Sequence, residues 1–269
     1  DTVTPLGHFD YRNIQNGTWS LDFYPVTPLY NNYEVTIFSF SQLDNVLSIG
    51  ATDVGSVVRI STGQTEVAAS STTEVISIGA TYRSAKVIAQ LHDFQNDKYY
   101  GNEINLLHDG TNVTLMQYGD ITSSTELAGI SGFGTFIGRI DSGNIVLDFK
   151  STVGTALSVN AMVIAISDQN ASGIGTIDLE VSNVSSYSKS IAASATPIAN
   201  VVGSYYEPDS SGYFVVSVED TTNNEYECFE VMSLDSLFEE NFVEFARVNT
   251  GTSGLGTVGF TSTGNNINV

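Results

Sequence analysis

The chain has 269 residues, 41% of them hydrophobic, with nine Lys and Arg against thirty Asp and Glu and a formal net charge of −21. That length and apolar content suffice for a buried core, while the scattered cations and strong acidity argue against nucleic acid or an anionic membrane surface as partner. Cys228 is the only cysteine, so no intrachain disulfide can form, and no run approaches the eighteen apolar residues of a membrane-spanning helix.

In chain order, alternating apolar and polar or β-branched residues predict strands over Tyr33–Ser41, Ala85–Asp93, Asn112–Asp120, Ser158–Ser167 and Gly212–Asp220. Between such runs lie HDGTN, DSGN, NASG and DSSG, whose Asp, Asn and Gly accept the positive φ of tight hairpins. Helical periodicity is almost absent. The expected fold class is all-β, with antiparallel sheets packed face to face.

Internal echoes organise these strands. Gly7–Pro25 (GHFDYRNIQNGTWSLDFYP) lies over Gly134–Ser151 (GTFIGRIDSGNIVLDFKS), matching Gly7 with Gly134, Phe9 with Phe136, Arg12 with Arg139, and Leu21, Asp22 and Phe23 with Leu147, Asp148 and Phe149. Leu91–Leu107 lies over Val218–Leu234 at a constant offset, pairing Asp93 with Asp220, Asn96 with Asn223, Tyr99 with Tyr226 and Glu103 with Glu230. The expectation is a tandem array of antiparallel β-sandwich modules of about 125 residues. Residues 1–42 would be the last strands of a first module, 43–168 a complete second, and 169–269 a third interrupted at GNNINV. Such an interruption suggests a piece of a longer polypeptide, or a sheet completed by a neighbouring chain.

Candidate chemistry is sparse. His92 with Asp93 and His108 with Asp109 suggest hydrolytic pairs, yet Asp109-Gly110 reads better as a hairpin turn and no nucleophile, base and orienter can be assembled. The expectation is a protein that is not an enzyme, with no cofactor. The oxygen-rich stretches His92–Glu103 and Glu219–Glu227 offer calcium ligands, but Asp and Asn bonding to their own backbone explains them better. Tyr99, Tyr100, Tyr205 and Tyr206 are candidate glycan-stacking residues, although neighbours on a strand point to opposite faces and core packing competes. The Ser, Thr and Ala segments Ser61–Val75 and Ser186–Asn200 suggest arms that pair with a neighbour, with Ser61, Thr65, Ser186 and Ser188 as contacts. A connection crossing between the two sheets of a sandwich is the plainer reading. Cys228, alternating with large apolar residues in YECFEV, is read as a small buried hydrophobe.

The stretch Tyr82–Phe149, with YRSAKVIAQLHD, NEINLLHDGTNVTLMQYGDI and GFGTFIGRIDSGNIVLDF, resembles a module repeated in large virion structural proteins of contractile-tailed phages that infect marine cyanobacteria. GYFVVSVEDTTNNEYECFEV resembles a second version of it. The resemblance implies a tail, fibre or capsid-surface component of the virion. The expectation is self-assembly with itself and other virion proteins, as a homo-oligomer. It brings no catalytic residues. The competing reading is a surface adhesin that binds host glycans.

Overall fold

The computed structural model describes residues 7–15, 18–25, 51–54, 57–79, 81–123, 132–167, 175–179, 182–187, 204–206, 211–236, 239–263 and 266–268, with the single positions 189, 191 and 202. Every regular element among them is a β-strand. The predicted strand Tyr33–Ser41 lies outside the described residues.

The chain divides into two units, Asp1–Phe40 and Ser41–Val269. In the first, β1 (Gly7–Gln15) and β2 (Thr18–Pro25) form an antiparallel hairpin that pairs Phe9 with Phe23 and Arg12 with Ser20. The second opens with β3 (Ala51–Val54), β4 (Val58–Val67), β5 (Thr72–Gly79), β6 (Tyr82–Asp93), β7 (Lys98–His108), β8 (Val113–Thr122), β9 (Gly134–Asp141), β10 (Asn144–Ser151) and β11 (Leu157–Ser167). It continues with β12 (Gly175–Leu179), β13 (Ser182–Ser186), β14 (Ser204–Tyr206), β15 (Ser211–Asp220), β16 (Glu225–Ser236), β17 (Glu239–Asn249), β18 (Thr261–Thr263) and β19 (Asn266–Asn268).

Two of the resulting sheets make a sandwich. One has six strands in the order β3-β4-β11-β6-β7-β8, and the other three in the order β5-β10-β9. Side chains alternate across a strand, so β6 sends Ala85, Val87, Ala89 and Leu91 inward, and β11 sends Leu157, Val159, Ala161, Val163 and Ala165. They meet Ile145, Leu147 and Phe149 of β10 and Phe136 of β9. The Ala and Val of β6 and β11 share one core with the larger Ile, Leu and Phe of β9 and β10, which lets the layers interdigitate. The chain passes from one sheet to the other between β4 and β5, through a turn closed by the Ser71 N–H on the Ala68 carbonyl.

The β9–β10 hairpin pairs Phe136 with Phe149 and Arg139 with Val146, matching the β1–β2 pairing at the aligned positions. On its surface the Arg139 guanidinium grips Asp148 with Nε (2.7 Å) and Nη2 (3.3 Å) and reaches Asp141 with Nη1 (2.6 Å). Asp148 is therefore the acceptor for a fixed cross-strand cation, as its place in a repeated frame suggests.

A stronger correspondence lies in the two three-stranded meanders β6-β7-β8 and β15-β16-β17. Ser84 pairs with Leu107 and Tyr100 with Thr122 in the first; 127 residues on, Ser211 pairs with Leu234 and Glu227 with Asn249. Both ladders slip at the same place, between Gly101 and Glu103 and between Cys228 and Glu230. Opposite the slip, Gly119 and Ala246 both take positive φ (67° and 51°), as do the hairpin residues Asp97 and Asn224 (49° and 56°). A bulge and two left-handed residues at equivalent positions are costly features, so the shared local geometry goes beyond shared sequence.

Gly134, which opens β9, is required by close approach. A Cβ there would lie 2.2 Å from the Lys150 carbonyl oxygen and 2.7 Å from the Phe149 ring. Gly134→Ala should destabilise the sandwich by about 1–3 kcal/mol, read as a lower urea midpoint with an unchanged m value, whereas Gly154→Ala, with nothing within 4 Å of the added carbon, should leave the midpoint near wild type.

Candidate assembly interface

The outward face of β6 and β7 has a composition unlike its environment. A sheet with one wet face exposes its polar residues, yet Ser84, Lys86, Asn105 and Leu107 are all buried. The second meander covers them: β15 lies on β6, β16 on β7 and β17 on β8. Leu107 packs with Tyr226, Cys228 and Val248, and Val215 closes the edge. The Arg83 guanidinium sits 5.0 Å above the Tyr226 ring, and Asn105 Nδ2 donates to the Ala246 carbonyl at the bulge (2.9 Å). Two meanders of matching register thus lie face to face.

At the centre is Lys86. Its Nζ donates to Glu230 Oε2 across the interface (2.7 Å), to Tyr118 Oη (2.8 Å) and to Glu103 Oε2 on its own sheet. Glu103 and Glu230 are the two glutamates that occupy matching positions in the two meanders, and one ammonium serves both. At the position matching Lys86 the second meander has Tyr213, whose hydroxyl donates to Glu230. Tyr118 Oη also reaches Asn105 Oδ1 (3.4 Å).

The electrostatics follow from burial opposed by pairing. Desolvation alone would drive Lys86 towards the neutral amine, but hydrogen bonds to Glu103, Glu230 and Tyr213 outweigh it and hold the pKa above 10.5. Desolvation raises the Glu230 pKa, and Lys86 and Asn105 only partly offset that rise. Glu230 Oε1 is buried without a hydrogen bond, an expensive state for a carboxylate oxygen. Next to this centre the Cys228 thiol, fully buried, is pushed up to about 12 by desolvation, which makes it a poor nucleophile at neutral pH.

The far face of the second meander is closed by the chain that follows β17. Arg247 pairs with the buried Glu227 (2.5 Å) and with Glu244 (2.6 Å), and its guanidinium stacks 4.0 Å from the Phe229 ring. The Leu255 N–H donates to Glu227 (2.9 Å) and the Val258 N–H to Glu244 (2.8 Å).

The sequence-derived candidates are scattered. Tyr100 is 1% exposed and bonded to Asp120, a core position rather than a glycan platform. Tyr99 stacks on His92 with ring centroids 4.0 Å apart. Tyr205 and Tyr206 lie in β14, paired with β19, and their side chains fall outside the described residues, as does Ser188. Ser61 and Thr65 are strand residues of β4, hydrogen-bonded to β11 opposite Val163 and Val159, so this stretch is part of a sheet rather than a free arm. The Ser186 hydroxyl is buried and donates to the Val54 carbonyl (2.8 Å), fixing β13 to β3.

In the two calcium candidates, the loops shrink to the four-residue turns at 94–97 and 221–224, while Glu103 and Glu227 belong to strands. Asp93 Oδ1 accepts from the N–H groups of Gln95 and Asn96, and Asp220 Oδ1 from those of Thr222 and Asn223. Asn96 and Asn223 side chains each donate to the second carboxylate oxygen (2.7 Å). Asp109 is used in the same way by Thr111 and Asn112, and His108 Nδ1 accepts from the Gly110 N–H. Each of these aspartates is committed to its own turn.

Lys86 and Arg247 were not among the sequence candidates. The one available signal for Lys86 was a cation set in the short apolar run Ala85–Ala89, AKVIA. Compared with known proteins, the chain matches no protein-family model and no curated protein.

Two outcomes follow. Asp220 is held below 3.8 by Asn223 and the turn N–H groups, and Asp109 by those of Asn112 and Thr111. A carboxylate with a lowered folded pKa stabilises the fold above its unfolded value and loses that contribution as pH falls through the folded value. The urea midpoint should therefore drop below about pH 4, and Asp109→Asn with Asp220→Asn, which keep the acceptor oxygen but do not titrate, should flatten that drop. Cys228 reports on separation of the meanders: it should resist a thiol reagent at pH 8 in the native chain, and Val215→Asp, which places an unpaired carboxylate in the interface, should raise its labelling rate at least roughly tenfold.

Proposed function

We propose that the chain is a virion structural component, of a phage tail, fibre or capsid surface, built of repeated β-sandwich modules and acting by self-assembly. The observation that carries this reading is the face-to-face packing of two equivalent meanders around Lys86. A sheet that covers its neighbour's outer face through matching positions is how a modular array grows without a separate adaptor. The resemblance of Tyr82–Phe149 to a repeated virion module supports the same reading. So does the matched pairing of the β1–β2 and β9–β10 hairpins. On this reading the boundaries near residues 43 and 168 separate modules, the partners are further copies and other virion proteins, and the strong negative charge keeps a high local concentration of chains soluble.

The test is to find the protein on its particle. Antibody raised against the chain should decorate purified virions at regular positions in negative-stain images, and sedimentation should show concentration-dependent association of the chain. Tight, selective binding of the monomeric chain on a glycan array, without particle decoration, would replace this reading with the adhesin.

A further inference from the structure

The centre of the interface has the components of a spontaneous cross-link. Lys86 and Asn105 are directly opposed on β6 and β7, with side chains on the same face and both almost fully buried. Two groups bridge them. The Tyr118 hydroxyl accepts from Lys86 Nζ (2.8 Å) and donates to Asn105 Oδ1 (3.4 Å). The Glu230 carboxylate, itself fully buried, accepts from Lys86 Nζ (2.7 Å) and also feels the Asn105 amide. An amine, a carboxamide, a phenol on the carboxamide oxygen and a buried carboxylate on the amine are what a transamidation requires.

We propose that Lys86 and Asn105 condense to an intramolecular isopeptide bond, with Glu230 as proton carrier and Tyr118 as the donor to the amide oxygen. Glu230 takes a proton from the Lys86 ammonium, and the freed amine attacks Asn105 Cγ. Charge that develops on Oδ1 is met by the Tyr118 hydroxyl. The carboxyl of Glu230 returns the proton to Nδ2, the Cγ–Nδ2 bond breaks and ammonia leaves. The Nζ–Cγ bond replaces the Cγ–Nδ2 bond, the second ammonium proton departs with ammonia as ammonium ion, and nothing is oxidised or reduced. Burial favours the protonated carboxyl on Glu230, the form that hands the proton on.

The site is neither an active site for an external substrate nor dependent on the virion reading: it uses only side chains that this chain brings together. The product is a covalent rung between β6 and β7, so that tension on the hairpin meets an amide bond rather than a ladder of hydrogen bonds.

Intact-mass measurement of the folded, aged and then denatured chain tests the proposal. The expected mass is about 17 Da below the sequence value, the loss of one ammonia. Tryptic digestion should yield a branched peptide in which residues 84–98, uncleaved at Lys86, are joined to residues 99–139. Lys86→Met, Asn105→Ala and Glu230→Gln should each restore the sequence mass, Glu230→Gln with an unchanged circular dichroism spectrum. A wild-type mass at the sequence value overturns the proposal. So does a loss that persists in Lys86→Met or comes without the branched peptide, which marks cyclisation at another Asn. Since the wild-type peptide map decides by itself, a variant that fails to fold does not blunt the test. Full cross-linking in Glu230→Gln would remove Glu230 from the mechanism and overturn it as stated.

Discussion

Lys86 brings a positive charge into a space closed on both sides by β-sheet, and much of the surrounding arrangement follows from keeping that charge matched. Removing an ammonium from water costs several kcal/mol unless partners replace its hydration. Here the replacement is threefold: a glutamate from its own sheet, a glutamate from the facing sheet and a phenol. Neither meander supplies the set alone. Glu103 and Tyr118 come from the first and Glu230 from the second, so the charge is satisfied only when the two lie together. The apolar contacts of Leu107, Tyr226, Cys228 and Val248 provide attraction without direction, and the ammonium adds position.

The same logic explains why the six-stranded sheet is buried on both faces at β6 and β7. Its inner face carries the alternating Ala, Val and Leu of the sandwich core, a pattern any strand reading detects. Its outer face carries Ser84, Lys86 and Asn105, which in isolation read as a solvated surface. Polarity on a strand therefore predicts water only when no second polar surface with complementary donors and acceptors lies opposite.

That is also the line between what the residues disclosed and what they withheld. The all-β class, the strands containing Ala85–Asp93, Ser158–Ser167 and Gly212–Asp220, and the turns at Asp93, Asp109 and Asp220 were legible, because alternation and Asx chemistry are local. The match of Glu103 with Glu230 was legible too, as a position in an alignment. Their meeting at one ammonium was not, since it depends on two segments more than a hundred residues apart facing each other. Ser61–Val75 was half legible: the crossing between the two sheets does fall within it, between β4 and β5. These strands are rich in Ser and Thr and lack strong alternation, however, and it is long ladders with β11 and β10 that hold them. Pairing partners, rather than the strand's own pattern, decided their structure.

Tyr213, at the position that matches Lys86, gives the two meanders different characters. A facing pair of the first kind would set two ammonium groups against two carboxylates, while a pair of the second kind would set Glu230 against its own copy with only phenols between them. The mixed pair has one cation shared by two acids and a hydroxyl that completes the shell. The exchange of Lys86 for Tyr213 therefore makes the facing pair polar in one direction: the cation comes from β6 alone, and β15 answers it with a hydroxyl.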